Sequence, residues 1–226
     1  MKLNPITLQK TGGVAAWVNA CLSAAALIVA FVLIGPEAMG DNARLAQMAL
    51  ENPTPLILQD VLKFASAAAA SILIVVMFQR LRISHPGAMK TAVWFGSLSV
   101  VCLLANACLS LYTVSLAANV PPSQSASGLL LTRTFSDMET ILFVLKGFLN
   151  ALIGVLGMAV IFFNGVWYLL VNWVLLKTES LPRWLCYLGL VMGGMSLLPP
   201  LGIVVLLLSI PWSLGVGRAL YKTRAA

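Results

Sequence analysis

Six apolar stretches alternate with short polar segments along the chain from Gly13 to Leu220. Within each stretch the apolar residues are continuous, a pattern that is typical of membrane-spanning helices and not of the alternating strands of a β-barrel. The pattern predicts an all-α protein, a polytopic transmembrane helix bundle of six spans. The predicted spans, which form a single transmembrane domain over residues 1–226, are about 13–34, 56–78, 91–117, 137–176, 184–198 and 201–220.

The segments between the spans carry signals for helix starts and stops. A short surface helix is predicted over 41–52, after the first span, because Asp41 has an N-cap side chain and the apolar residues fall on one face. Thr54 is predicted to cap span two, with Pro55 at the first helical position. The Pro/Ser-rich segment 119–127 is expected to be mobile, and Pro211 is expected to kink span six.

Span four is unusually long. Residues 141–176 contain no proline and one charge, Lys146. A helix over the whole predicted span would be about 60 Å long against a hydrocarbon core of ~30 Å, so it either projects from the bilayer or bends at a glycine. We predict one continuous helix that begins near Asp137, where Ser136 and Glu139 have capping-box spacing, and that projects beyond the core.

Composition and charge agree with a bilayer environment. The chain is 60% hydrophobic and 9% charged, with a mean hydropathy of +0.97 and a net charge of +7. With the N-terminus inside, only Arg44 and Arg133 fall outside, which satisfies the positive-inside rule and places both termini in the cytoplasm. The ten basic residues predicted inside are Lys2, Lys10, Arg80, Arg82, Lys90, Lys177, Arg183, Arg218, Lys222 and Arg224. They are scattered at span ends and form no basic stripe, so we expect the bilayer as partner and no nucleic acid.

The sequence is poor in groups that carry chemistry. Its one histidine, His85, lies in a predicted loop, and none of its four cysteines forms a CxxC motif. Motifs for nucleophilic catalysis, zinc hydrolysis and nucleotide binding do not occur, and no pair of carboxylates lies at mid-membrane. We therefore expect no enzyme, no cofactor and no metal site.

Four ionisable residues form the candidate polar cluster: Asp60, Lys63, Glu139 and Lys146. All lie near the predicted outer ends of spans two and four, and the i,i+3 spacing of Asp60 and Lys63 allows an ion pair. One interpretation is an interfacial ion pair with both lysines reaching outward to the headgroups. The other is a polar site beneath an outward-facing cleft that binds a lipid headgroup or a small solute.

Other polar and small residues within the spans predict helix packing. Four asparagines are expected to form hydrogen bonds between helices, because an unpaired amide in lipid is costly: Asn106, Asn150, Asn164 and Asn172. Gly189 and Gly193 form a GxxxG motif, which predicts close approach of span five to a neighbour.

Several of these features resemble a family of uncharacterised six-helix bacterial membrane proteins, a domain of unknown function. They are the acidic segment and short helix after span one, Asp60 near the start of span two, Phe162-Phe163-Asn164-Gly165 in span four, and Ser180 to Gly189 leading into span five. The resemblance implies a six-helix fold in a bacterial cytoplasmic membrane. It implies no activity.

Two functions remain open at this point. The first is a non-catalytic accessory, structural or assembly subunit of a larger membrane complex, in contact with other membrane proteins or with itself. The alternative is a carrier or binder of a small solute, lipid or quinone, supported by the charged cluster and by the proline-broken spans five and six.

Overall fold

The fold is all-helical over residues 5–39, 41–118, 135–198 and 201–222, which are the parts of the chain that the computed structural model describes. The helices, in chain order, are α1 (Pro5–Ile28), extended by a π-helical segment (Val29–Ile34), α2 (Pro36–Met39), α3 (Asn42–Glu51), α4 (Thr54–Leu81), α5 (Pro86–Ala118), α6 (Phe135–Lys177), α7 (Arg183–Ser196) and α8 (Gly202–Lys222).

Five of these helices are long and apolar enough to cross a membrane, by length and composition, in the part of the chain that is described. They are α1 with its π-helical extension, α4, α5, α6 and α8. The protein is therefore a multi-pass integral membrane protein built as a helix bundle. At 14 residues, α7 is about 21 Å long and is shorter than a ~30 Å hydrocarbon core, so the sixth span stays a prediction.

Neighbouring helices run antiparallel. Gly13 near the start of α1 faces Gly217 near the end of α8, whereas Asn19, further along α1, reaches back to Ser213 at 3.1 Å. Three further pairs of neighbouring helices each have two contacts in which the residue number rises along one helix and falls along the other, as antiparallel packing requires. The contacts are Lys63–Asn106 and Ile74–Gly96 for α4 and α5, Phe95–Phe163 and Asn106–Ile153 for α5 and α6, and Gly165–Gly193 and Asn172–Gly189 for α6 and α7. The chain therefore passes up and down through the bundle.

This order collects the charges at two ends of the bundle. The basic residues described at one end are Lys10, Arg80, Arg82, Lys90, Lys177, Arg183, Arg218 and Lys222. At this basic end Arg80 also donates to the carbonyl of Ser180 at 3.3 Å, which ties the end of α4 to the α6–α7 loop. The charged residues described around α2 and α3, at the opposite end, are Glu37, Asp41, Arg44 and Glu51. The asymmetry is the one that the positive-inside rule describes.

Most predicted helix boundaries are close to the observed ones. The surface helix after span one is present as α3, and the Asp41 carboxylate caps it by accepting hydrogen bonds from the amides of Ala43 and Arg44. The prediction that Thr54 caps the next helix is wrong, because Thr54 is already helical and Pro53 occupies the cap position. A proline there fixes a helix-compatible φ, so the helix begins one residue early.

The long fourth segment forms one continuous helix, as predicted. It is α6, with 43 residues from Phe135 to Lys177. The side chains of its first turns, including Ser136 and Glu139 of the predicted capping box, lie outside the described residues, as does the predicted mobile segment 119–127. The π-helical segment at the end of α1 was not predicted, since its apolar sequence carries no signal that separates it from an α-helix.

Close packing sets the positions of α6, α7 and α8. A Cβ on Gly189 would overlap the Asn172 amide, and one on Gly193 would lie 2.9 Å from the carbonyl oxygen of Gly165. The Asn172 amide donates to the Tyr168 carbonyl at 2.8 Å and accepts from the indole of Trp212 at 3.1 Å. The glycines therefore bring α7 close to α6 while the asparagine joins α6 to α8.

Candidate functional site

A cavity of about 330 Å³ lies between the helices of the bundle. Side chains from α1, α4, α5, α6, α7 and α8 line it. Its volume lies at the lower end of the usual range for small-molecule sites. Along α4 the lining runs from Gln59 to Ile74, so the cavity is elongated along the bundle.

Polar side chains form a belt around the middle of this cavity. We use the name polar belt for six residues that lie well inside their helices and line the cavity: Asn19, Ser23, Ser66, Ser99, Asn164 and Ser209. Part of the belt joins helices, since the Ser209 hydroxyl donates to Ser23 at 3.2 Å and the Ser99 hydroxyl donates to the carbonyl of Val160 at 3.1 Å. These bonds hold α8 on α1 and α5 on α6 around the cavity.

At one end of the cavity lies a buried ion pair. The ammonium of Lys63 donates to Asp60 Oδ1 at 2.7 Å and to Asn106 Oδ1 at 2.9 Å, while the Asn106 amide donates to the carbonyl of Ile153 at 2.8 Å. Asp60 is 1% exposed and Asn106 is 6% exposed, whereas the side chain of Lys63 is 26% exposed and lines the cavity. The chain of bonds connects α4, α5 and α6 and orients Lys63 along the cavity wall.

The structure brings together two of the four residues of the candidate polar cluster. Asp60 and Lys63 form the ion pair that their spacing predicts. Glu139 and Lys146 belong to the first turns of α6, and their side chains lie outside the described ones, so the four-residue cluster stays a prediction.

The Asp60–Lys63 ion pair belongs to both interpretations of the cluster, and the depth of the pair relative to the headgroups stays a prediction, whereas the structure shows which groups bind Lys63. Its ammonium is held inside the bundle by Asp60 and by Asn106 of the neighbouring helix. Outward extension would leave the buried Asp60 carboxylate without its counter-charge, and the cost of an unpaired buried charge exceeds the gain in hydration of one ammonium group.

The other end of the cavity is aromatic. Trp167, Tyr168 and Trp212 line it, and the rings of Tyr168 and Trp212 meet edge to face with centroids 4.9 Å apart. A Cβ on Gly96 would lie within 3 Å of both Trp167 and Ile74, which places Trp167 at the height of Ile74 on α4. This aromatic end therefore lies about 16 Å along α4 from Lys63, at ~1.5 Å per residue.

Three polar groups at the site lack a hydrogen-bond partner within the described part of the chain. Asp60 Oδ2 and Gln59 Oε1 are both buried and unpaired. The interhelical bonds expected of the asparagines are confirmed for Asn106 and Asn172, whereas Asn164 lines the cavity and its amide has no bond to a described residue. An amide with unmet bonds deep in a membrane protein is costly unless a water molecule or a ligand supplies them.

The cavity lining offers several groups that can bind a small molecule. Among the described residues, no three His, Cys, Asp or Glu side chains come close enough together to hold a metal ion. The cavity presents one ammonium group, several amides and hydroxyls, and an apolar aromatic end. Such a lining can hold an amphipathic molecule with its polar head toward Lys63 and its apolar part toward Trp167.

The sequence did not single out most of this cavity. The helical stripe of Gln59, Lys63 and Ser66 at i, i+4 and i+7 is a signal that could have found one wall. Single serines in the other helices carry no such pattern, because a serine inside a span most often bonds to its own helix.

The sequence of the chain matches the model of one protein family. The match covers residues 20–217, and the family is described as a domain of unknown function, DUF4386. No curated protein and no solved structure matches the chain. Since the match covers most of its length, the chain belongs to this family, in agreement with the resemblance to an uncharacterised group.

Proposed function

We propose that this member of a family of unknown function is a non-catalytic membrane protein that binds a small amphipathic molecule in its central cavity. The observation that carries the proposal is the cavity of about 330 Å³ with the polar belt around its middle. This function is the alternative that the sequence left open. The cavity favours it over a purely structural role, since packed helices alone need no such space.

The energetic argument rests on the polar groups of the cavity. Each buried amide or hydroxyl without a partner costs about 1–3 kcal/mol of stability relative to a bonded one. Gln59 brings such a group to the cavity wall, and an apolar side chain of similar size would avoid that cost. Bonds to a bound molecule would offset it, which is the general reason why binding sites combine an apolar wall with a few polar groups.

Filling the cavity provides the test. Ser66→Phe would place a benzyl group in the cavity, whereas Ala68→Phe, two residues away on the exposed side of α4, would place the same group outside the bundle. Both variants and the wild type would be purified in mild detergent, and the small molecules that accompany each would be identified by mass spectrometry. We expect a compound with the wild type and with Ala68→Phe that is lost from Ser66→Phe. Equal recovery from all three proteins would contradict binding in the cavity.

We also propose a location and an orientation. The basic end of the bundle would face the cytoplasm of a bacterial cell and the end with α2 and α3 would face outward, in the cytoplasmic (inner) membrane. The support is the charge asymmetry between the two ends. The Lys63 end of the cavity would then lie toward the outer leaflet.

The accessory-subunit role remains a prediction and does not exclude binding. Native mass spectrometry of the protein from mild detergent tests it, because a subunit of a larger complex keeps its partners under these conditions. A stable monomer without accompanying protein would count against that role and would leave the binding function in place.

A further inference from the structure

The charge balance at Lys63 limits the kind of molecule that the cavity can hold. Among the described residues that line the cavity, Lys63 is the one with a charged side chain. The positive charge of its ammonium group is already balanced by the carboxylate of Asp60 at 2.7 Å. The pair is neutral as a unit. A ligand with a net charge would therefore add an unmatched charge to a site inside the bundle.

The magnitude of that cost decides between charged and uncharged ligands. A single unmatched charge in the interior of a membrane protein weakens binding by about a hundredfold relative to an uncharged group of the same size. The free N–H of Lys63 does not offset this difference, since the oxygen of an uncharged hydroxyl group can accept it as well as an anion can. The balance favours a ligand without net charge.

The hydrogen-bonding groups that are still unpaired restrict further which polar head group the ligand can have. Lys63 has three N–H donors, of which two are bonded to Asp60 and Asn106. Gln59 Oε1 is an acceptor without a described partner, one helical turn from Lys63 on the same face of α4. A head group that accepts from Lys63 and donates to Gln59 needs both functions in one place, and a hydroxyl group supplies both.

We propose, building on the binding function above, that the cavity holds an uncharged amphipathic molecule whose hydroxyl-bearing head contacts Lys63 and Gln59 and whose hydrocarbon part extends toward Trp167 and Trp212. The distance of about 16 Å between the two ends, at ~1.5 Å per residue along α4, suits an extended chain. The ligand class is thus a long-chain alcohol or a glyceride with a free hydroxyl group, and not a fatty acid or an alkyl amine.

Brominated chains provide the test, because bromine quenches tryptophan fluorescence on contact and two tryptophans line the far end of the cavity. The probes are ω-bromoundecanol and ω-bromoundecanoate, which share one chain and differ in the head. Binding is measured in detergent at about pH 8, where an ordinary carboxyl with a pKa of about 4 is ionised. In Ser66→Phe the cavity is filled, so the quenching that remains comes from the outward-facing tryptophans. This background quenching is subtracted from that of the wild type.

We expect the wild type to bind the alcohol at least about tenfold more tightly than the carboxylate. Asp60→Asn removes the negative partner, so Lys63 becomes an unmatched cation and the preference should reverse toward the carboxylate. The double variant Asp60→Asn/Lys63→Met is neutral again and should return to the alcohol. Size-exclusion chromatography identifies variants that have not folded, and the wild-type comparison stands without them.

Two results would overturn the inference, and they differ in what they leave standing. Equal or tighter binding of the carboxylate by the wild type would refute the charge rule while showing that the cavity binds amphipathic chains. Quenching by neither probe above the Ser66→Phe background would refute the ligand class, and the binding function would then depend on the compound that accompanies the purified wild type.

Discussion

At the scale of single residues, the ion pair of Asp60 and Lys63 is the feature with the largest energetic consequence. Asp60 is almost fully buried, and its Oδ2 has no hydrogen-bond partner among the described residues, so Lys63 is its main stabilising contact. A buried pair of this kind contributes little net stability as a unit, but it is costly to break because one charge is left alone. The two residues therefore depend on each other.

The first prediction concerns this dependence. Asp60→Asn and Lys63→Met should each lower the free energy of unfolding by about 1–3 kcal/mol, while the double variant should regain most of the loss. Thermal unfolding in detergent, followed by circular dichroism, gives the four values of the cycle. If the losses of the single variants simply add in the double variant, the ion pair is not an energetic unit.

A second prediction at this scale uses two glycines of one helix. Gly189→Ala should lower stability by about 1–3 kcal/mol, because its new Cβ would overlap the Asn172 amide that also binds Trp212. Gly194→Ala is the control on the same helix, where the new Cβ meets nothing within 4 Å, and it should be neutral or stabilise the helix by up to about 1 kcal/mol. Equal melting temperatures for the two variants would argue against close packing of α7 on α6.

At the scale of elements, α6 is the longest described helix and packs mainly against α5 and α7. It contacts α5 through Ser99 and Asn106, and it contacts α8 through Asn172. Its 43 residues give a length of about 65 Å, roughly twice a ~30 Å hydrocarbon core. Because its last turns lead into the basic end, we expect the excess length to lie at its first turns.

The third prediction follows from that excess length. Lys146 should lie at the outer headgroup level, so a Lys146→Cys protein in a background with the four native cysteines replaced should react with an impermeant thiol reagent added from outside. Met138→Cys, earlier on the same helix, is the control that should react in either case. Reaction of the control without reaction at residue 146 would place Lys146 inside the bundle, where its charge needs a partner.

At the scale of the whole molecule, the antiparallel order of the helices gives the two ends of the bundle different charges. Basic residues from six helices and a loop meet at one end, and acidic residues around α2 and α3 lie at the other. By the positive-inside rule, this polarity supports the proposed orientation, in which the Lys63 end of the cavity faces the outer leaflet.

The fourth prediction tests the orientation. In the same cysteine-free background, Glu51→Cys at the end of α3 should react with an impermeant reagent in intact cells. Arg82→Cys, exposed between α4 and α5, should react only after the membrane has been permeabilised. The reverse pattern would place both ends on the opposite sides from those proposed.

The sequence by itself determined the helical class, most of the helix boundaries and, for the described residues, which loop charges lie at the same end of the bundle. These properties follow from local physics: a bilayer requires about twenty continuous apolar residues per helix, and Asp41 caps α3 through its own neighbours. The continuous helix from Phe135 to Lys177 follows from the same local rules, since it contains no proline.

Only the tertiary structure decided what lies between the helices. Three features depend on how the helices are rotated about their axes. They are the contact of Lys63 with Asn106 on α5, the polar belt around the cavity, and the position of the Asn164 amide in the cavity wall. Rotation is set by packing among all the helices at once, for example by the two glycines that bring α7 onto α6. In a span that is apolar on nearly every face, the sequence pattern barely distinguishes the side that faces lipid from the side that faces the cavity, because both are covered by the same residue types.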